Sequence, residues 1–225
     1  MYLLFMNFHI ITIFPEIFNS YFNESIIKRA QEKKIIKINI YNLRDWTTDK
    51  HKTVDDTPYG GGAGMIFKIE PLYHAIKDIL LKIKDDRKNI KIILLSAKGK
   101  IWNQQKALKY SKKYKNIIFI CGRYEGVDER ILNFIDEEIS IGKYILTGGE
   151  IPAMILVDSI SRLLPKVLGN KNSIISESYS KPNIKEYPQY TKPSVFIDDN
   201  KKEYFVPKML LSGNHKEIEK WRNKN

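Results

Sequence analysis

The sequence has almost no cysteine: Cys121 stands alone among 225 residues. An internal disulfide is therefore excluded, and the chain fits a reducing compartment. Cys121 ends the apolar run Asn116-Ile117-Ile118-Phe119-Ile120, so it reads as a buried structural thiol and not as a nucleophile. Histidine is also scarce. His9, His51, His74 and His215 show no metal-ligand spacing, so no protein metal site can be read. No segment reaches the ~20 apolar residues of a membrane-spanning helix. The apolar start Met1-Tyr2-Leu3-Leu4-Phe5-Met6 lacks a basic region and a small-residue cleavage site. A cytoplasmic protein is the expectation. Neither GxGxxG nor GxxxxGK[ST] occurs, which argues against a nucleotide seated on a helix N-terminus. Internal repeats are absent.

What is present is apolar, basic and periodic. A hydrophobic content of 43% supports a packed core. The formal net charge of +12 points to a polyanionic partner, nucleic acid first. Codon usage in an AT-rich genome, which favours Lys, Ile and Asn, would give the same charge without functional cause. Strand-like runs recur at Phe8–Phe14, Ile35–Tyr41, Ile90–Ser96, Asn116–Cys121 and Ile139–Leu146. Helical stretches follow most of them: Pro15 to Lys33, Pro71–Lys84, Asn103–Tyr114, Val127–Ile135 and Ile151–Leu164. This alternation predicts an α/β fold with a mostly parallel sheet. After Leu164-Pro165 the character changes. A Ser/Asn/Lys-rich linker is expected over 169–182, followed by a small unit at 183–225. Asn214 with Glu217 predicts a capping box that opens a closing amphipathic helix.

Two glycine-studded turns follow apolar runs: Cys121-Gly122-Arg123-Tyr124-Glu125-Gly126-Val127-Asp128 and Ser140 through Gly149-Glu150. Ligands of parallel sheets sit beyond the carboxyl ends of strands. Glycines there let backbone approach a ligand closely. A pocket lined by backbone is the expectation. A third cluster, Pro58-Tyr59-Gly60-Gly61-Gly62-Ala63-Gly64, reads either as a plain flexible loop or as one that closes on a planar ligand, with Tyr59 to stack on it. Arg162 reads as a helix-end cation, Glu177 as a solvated charge. Glu125, inside a glycine turn, must face a cation or position a ligand.

Taken in order, several blocks resemble the bacterial tRNA (guanine-N1)-methyltransferases, a family of the knotted SPOUT class. They are Ile13-Phe14-Pro15-Glu16-Ile17-Phe18, Thr53-Val54-Asp55-Asp56, Pro58 to Gly62, Cys121 to Arg130, Ser140 to Glu150, Pro152-Ala153-Met154, Leu211 to His215, and Trp221-Arg222. The resemblance implies a knotted domain over 1–168 with a deep trefoil knot, and a shortened tRNA-binding domain over 183–225. It implies S-adenosylmethionine as methyl donor and a homodimer that shares each active site. The implied substrate is tRNA with guanine at position 37, preceded by guanine. Mg²⁺ is implied as well. Carried over by residue, the cofactor pocket comprises Leu95, Ser96, Ala97, Gly122, Tyr124, Glu125, Gly126, Ser140, Ile141, Gly142, Tyr144, Leu146, Gly148 and Gly149. Asp55, Tyr59, Gly60 and Gly61 would hold the guanine. Arg162 would stabilise charge on guanine O6, and Glu177 would remove the N1 proton.

The departures from the family pattern are specific. Its base is an aspartate where this chain has Glu177. Ala97 and Ala63 replace prolines, and Thr57 replaces an arginine. The family begins near Met6 and continues past Trp221-Arg222 with a basic segment, so weaker tRNA binding is expected of a chain ending at Asn225. A non-catalytic or slow RNA-binding protein on the same fold would suit the altered base and the short tail. A related RNA methyltransferase with a different target atom is a third reading.

Overall fold

The computed structural model describes residues 5–169, 177–179 and 186–224, and it divides into two compact units, Met1–Lys171 and Asn172–Asn225. Most of the segment expected as a linker lies outside the described residues.

The first unit carries strands β1 (Met6–Thr12), β2 (Ile36–Asn42), β3 (Asp55–Asp56), β4 (Ile66–Phe67), β5 (Ile90–Ile101), β6 (Asn116–Cys121) and β7 (Glu137–Ser140). Five of these form one parallel sheet in the order β2-β1-β6-β5-β7. The helices are α1 (Asn19–Phe22), α2 (Ser25–Glu32), α3 (Ile69–Lys82), α4 (Gln104–Lys113) and α5 (Glu150–Ser161). The central strand β6 is buried along its whole length, as expected of a parallel strand covered on both faces. On one face, Ile11, Ile92, Leu94, Ile118 and Ile120 pack with Leu72, Ala75, Ile76 and Ile79 of α3. Burial pushes the Cys121 thiol well above its usual pKa, which suits a packing role.

Three expected elements differ in the structure. The helix predicted from Pro15 to Lys33 is a short 3-10 turn, Pro15–Phe18, followed by α1 and α2, with the break at Ser25, whose φ is 49°. The helix predicted over Val127–Ile135 is a 3-10 turn, Glu129–Phe134, capped by the Asp128 carboxylate on the Arg130 N–H. The strand predicted over Ile139–Leu146 stops at Ser140. There the Ser140 hydroxyl both donates to the Gly142 carbonyl and accepts from its N–H, folding the chain into a local turn in place of a ladder.

The edge of the sheet explains how the site is built. Leu95 and Lys100 of β5 both pair with Ile139 of β7. A strand residue has two hydrogen-bonding edges, so β5 runs along one side of β7, crosses it and continues along the other. The crossing is at Gly99, where an added Cβ would lie 2.5 Å from the Ile139 nitrogen. The chain leaving β7 then turns back, and the Gly149 N–H donates to the Gly122 carbonyl at 2.9 Å, beyond the end of β6. Chain crossing chain in this way is rare.

The second unit holds an antiparallel hairpin of β8 (Val195–Ile197) and β9 (Glu203–Phe205), then α6 (Lys208–Leu211) and α7 (His215–Lys224). The hairpin adds to the helices expected there. Asn214 caps α7 by accepting from the Glu217 N–H, while Glu217 pairs with Lys220 at 3.0 Å.

Candidate active site

A cavity of about 390 Å³ opens at the carboxyl ends of β5, β6 and β7. Its walls are the three segments singled out by sequence. Leu95, Ser96 and Ala97 come from β5. Gly122, Tyr124, Glu125 and Gly126 come from the turn after β6. Ser140, Ile141, Gly142, Tyr144, Leu146, Gly148 and Gly149 come from the turn after β7. All of them line this one cavity.

The backbone there is shaped by local chemistry. Tyr124 takes φ 58° and Gly126 takes φ 132°, and together they reverse the chain. The reversal is held from outside by β4. The Phe67 N–H donates to the Gly126 carbonyl at 3.0 Å, the Glu125 N–H to the Met65 carbonyl at 3.1 Å, and the Tyr124 ring stands edge-on to Phe67. The glycine-rich loop is thereby tied to the cavity wall. Gly64 sits against Glu125, whose Cγ would be 2.6 Å from a Cβ at that position.

The other expected residues fall in two places. Asp55 pairs across the β3–β4 ladder with Phe67. Tyr59, Gly60 and Gly61 form the tip of the same loop, with positive φ at both glycines and a fully exposed tyrosine ring. These tip residues are absent from the cavity lining. Arg162 closes α5 as its C-cap and is half-buried. Glu177 belongs to the second unit and is half-buried there.

Sequence reasoning missed a buried ion pair behind the two turns. Glu150 opens α5 and is 1% exposed. Its Oε2 accepts from Arg123 Nε at 3.0 Å, and its Oε1 from the Thr12 hydroxyl at 2.8 Å. Both charged residues lie inside the quoted turns, but Thr12 is far away in sequence and no spacing rule connects it. Gly99 was missed too, although a glycine inside a strand pattern is itself a sign of close backbone approach. Among the described residues, no group of three or more His, Cys, Asp or Glu could hold a metal ion.

A parallel sheet crossed by its own chain, with a backbone-lined cavity at the crossing, defines the knotted SPOUT class of methyltransferases. The profile of one family in that class, tRNA (Guanine-1)-methyltransferase TrmD, matches residues 6–225, and the chain belongs to this family. It is 53% identical to the tRNA (guanine-N(1)-)-methyltransferase of Clostridioides difficile, over 96% of this chain and 90% of that protein. It is likewise 53% identical to the enzyme of the same name from Dictyoglomus turgidum, over 96% of this chain and 82% of the relative. The crystal structure of tRNA (m1G37) methyltransferase from Aquifex aeolicus superposes with a TM-score of 0.77 at 37% identity, covering 96% of this chain and 87% of that one.

Proposed function

We propose that this protein transfers a methyl group from S-adenosylmethionine to N1 of guanine 37 in tRNA. The observation that carries the proposal is the cavity at the β7 crossing, two of whose walls are turns that bring Gly122, Gly126, Gly142, Gly148 and Gly149 to its surface, in a chain of this family. Its volume of about 390 Å³ falls in the range of small-molecule sites. The Gly148 and Gly149 positions have no room for a Cβ, so this wall presents bare peptide groups to a ligand. Such a lining fits an adenosyl group, whose polar edge needs N–H and C=O partners at close range. A tRNA substrate puts the protein in the cytoplasm and gives its +12 charge a purpose.

S-adenosylmethionine supplies an electrophilic methyl group on a sulfonium. Guanine N1 carries a hydrogen at neutral pH and attacks only as that proton leaves. The Glu177 carboxylate takes it. As N1 loses the proton, negative charge spreads to O6, where the Arg162 guanidinium stabilises it. The loop at Tyr59, Gly60 and Gly61 embraces the extruded base, with the exposed tyrosine ring as a stacking surface. Asp55 supports this loop from β3. No group of three or more His, Cys, Asp or Glu stands together among the described residues, and the Mg²⁺ implied by the family resemblance would take most of its ligands from water and phosphate oxygens, which needs no such group.

The protein acts as a homodimer with each site completed across the interface. Ile151 and Ile155 of α5 are 55% and 39% exposed, beside Ile17 and Tyr21, each 40% exposed. The Tyr21 hydroxyl donates to Asp158 of α5, so these residues share a face. An apolar face of this kind suits a second copy.

The test is methyl incorporation from labelled S-adenosylmethionine into tRNA transcripts bearing guanine at positions 36 and 37. Incorporation that vanishes when guanine 37 is replaced by adenine is expected. Incorporation indifferent to position 37 would overturn the assignment.

A further inference from the structure

We propose that Glu150 is a positioning residue that sets cofactor affinity, by locking both glycine turns of the cavity to the end of β1 through Arg123 and Thr12. The inference rests on the reading of the cavity as the S-adenosylmethionine site.

Two cavity walls made of glycine turns have few side chains with which to hold each other. Their direct backbone ties are the Gly149 N–H to the Gly122 carbonyl and a bridge between Arg123 and Gly148. The rest of the connection is the carboxylate of Glu150. One of its oxygens takes Arg123 from the turn after β6; the other takes the hydroxyl of Thr12, which is fully buried. Thr12 also accepts from the Phe14 N–H at 3.0 Å, and the Phe14 ring lies 4.7 Å from the Arg123 guanidinium. The chain of contacts is therefore closed. Strand β1, a third element, fixes the register of both walls although Thr12 and Glu150 do not line the cavity.

Space around the pair is fully used. A Cβ on Gly148 would meet Arg123 Nε at 2.3 Å and Glu150 Oε2 at 2.5 Å. The pair thus occupies the volume that a side chain at Gly148 would need. Glu150 has a second lever. It opens α5, and Arg162 caps the same helix at its other end. The helix that ends at Arg162 is therefore tied to the end of β1 as well.

Removing the charge of Glu150 leaves Arg123, only 17% exposed, without its counter-charge. The arginine then has reason to swing toward solvent and to take the turn with it. Small misplacements in a supporting shell are enough to loosen a site.

The experiment measures S-adenosylmethionine affinity by calorimetry on wild type, Glu150→Gln, Thr12→Val and Thr12→Ser. Each is assayed well below its own Tm. The expected result is a Kd raised at least ten-fold in Glu150→Gln and several-fold in Thr12→Val. Thr12→Ser, which keeps the hydroxyl, should stay within two-fold of wild type. tRNA affinity without cofactor should stay within two-fold throughout. Lowered Tm with unchanged Kd in both Glu150→Gln and Thr12→Val would reduce the network to a structural tie and overturn the proposal. If Glu150→Gln does not fold, Thr12→Val decides, because at nearly constant shape it removes both hydrogen bonds of the Thr12 hydroxyl, to Glu150 and from the Phe14 N–H, and keeps the Arg123–Glu150 pair. Wild type that fails to bind S-adenosylmethionine would refute the cavity reading instead.

Discussion

In the proposed mechanism Arg162 and Glu177 divide the chemistry between a cation and a base, and their substitutions should fail differently. Arg162 acts on charge that exists mainly in the transition state, so Arg162→Ala should lower kcat by ~10² or more. Cofactor affinity, read by calorimetry, should change less. An effect confined to KM would make Arg162 a substrate-positioning group. Glu177→Ala should abolish most turnover in a single-turnover assay while leaving S-adenosylmethionine binding intact. Glutamate and aspartate have similar reference pKa values, ~4.3 and ~3.9, so the exchange from the family's aspartate alters reach more than basicity. Glu177→Asp should therefore move the rate in one direction or the other, since ~1 Å of misplacement can cost ~10²-fold. His9 gives an independent check on stability. It is buried on β1, its Nδ1 is 3.1 Å from the Tyr41 hydroxyl, and its Nε2 has no partner among the described residues. Burial lowers its pKa to about 4, opposed by the nearby Asn116 side chain and aided by the charge of Lys37. The folded protein thus keeps His9 neutral where the unfolded chain already binds a proton. Acidification from pH ~6.5 to ~4 should cost on the order of 3 kcal/mol from this site alone. Denaturant unfolding against pH should show a shallower slope for His9→Gln in that window. Equal slopes would remove His9 as the cause. None of this was legible in the sequence, because a lone histidine in an apolar run carries no sign of what faces it.

At the scale of elements, the glycines of the two turns are not equivalent. A Cβ at Gly148 meets the Arg123–Glu150 pair, whereas a Cβ at Gly142 meets the ring of Tyr144, which is 55% exposed and free to swing. Gly148→Ala should lower both Tm and cofactor affinity. Gly142→Ala should weaken cofactor binding with little change in Tm, because the ring it displaces lines the cavity. Similar Tm losses in both variants would contradict this distinction. The sheet strands were legible because buried parallel strands read as unbroken apolar runs, as Asn116–Cys121 does. The end of β7 was not, because Ile145 and Leu146 continue the apolar run yet are 82% and 38% exposed at the cavity mouth. Apolar character alone does not separate a strand from a binding surface. The crossing of β7 at Gly99 was also hidden. It depends on two edges of one residue being occupied, and pairing of that kind has no local signature.

For the whole molecule, two of the three cavity walls were legible as glycine turns and the third, Leu95 to Ala97, only through the family resemblance; their meeting in one place follows from strand order. What required coordinates was the support behind them, where Thr12 reaches Glu150 across the fold. The apolar face of α5 belongs to the same scale. If the proposed dimer forms on this face, Ile155→Arg should shift the protein toward monomer in sedimentation velocity and reduce turnover, because the proposed shared site needs both copies. A dimer that persists would place the interface elsewhere. The central claim is the identity of the methylated atom. The direct measurement is mass spectrometry of nuclease-digested tRNA after reaction with S-adenosylmethionine, with nucleoside standards and fragment mapping. The account predicts 1-methylguanosine at position 37 and nowhere else. Methyl found on a ribose, on another base atom or at another position would contradict it.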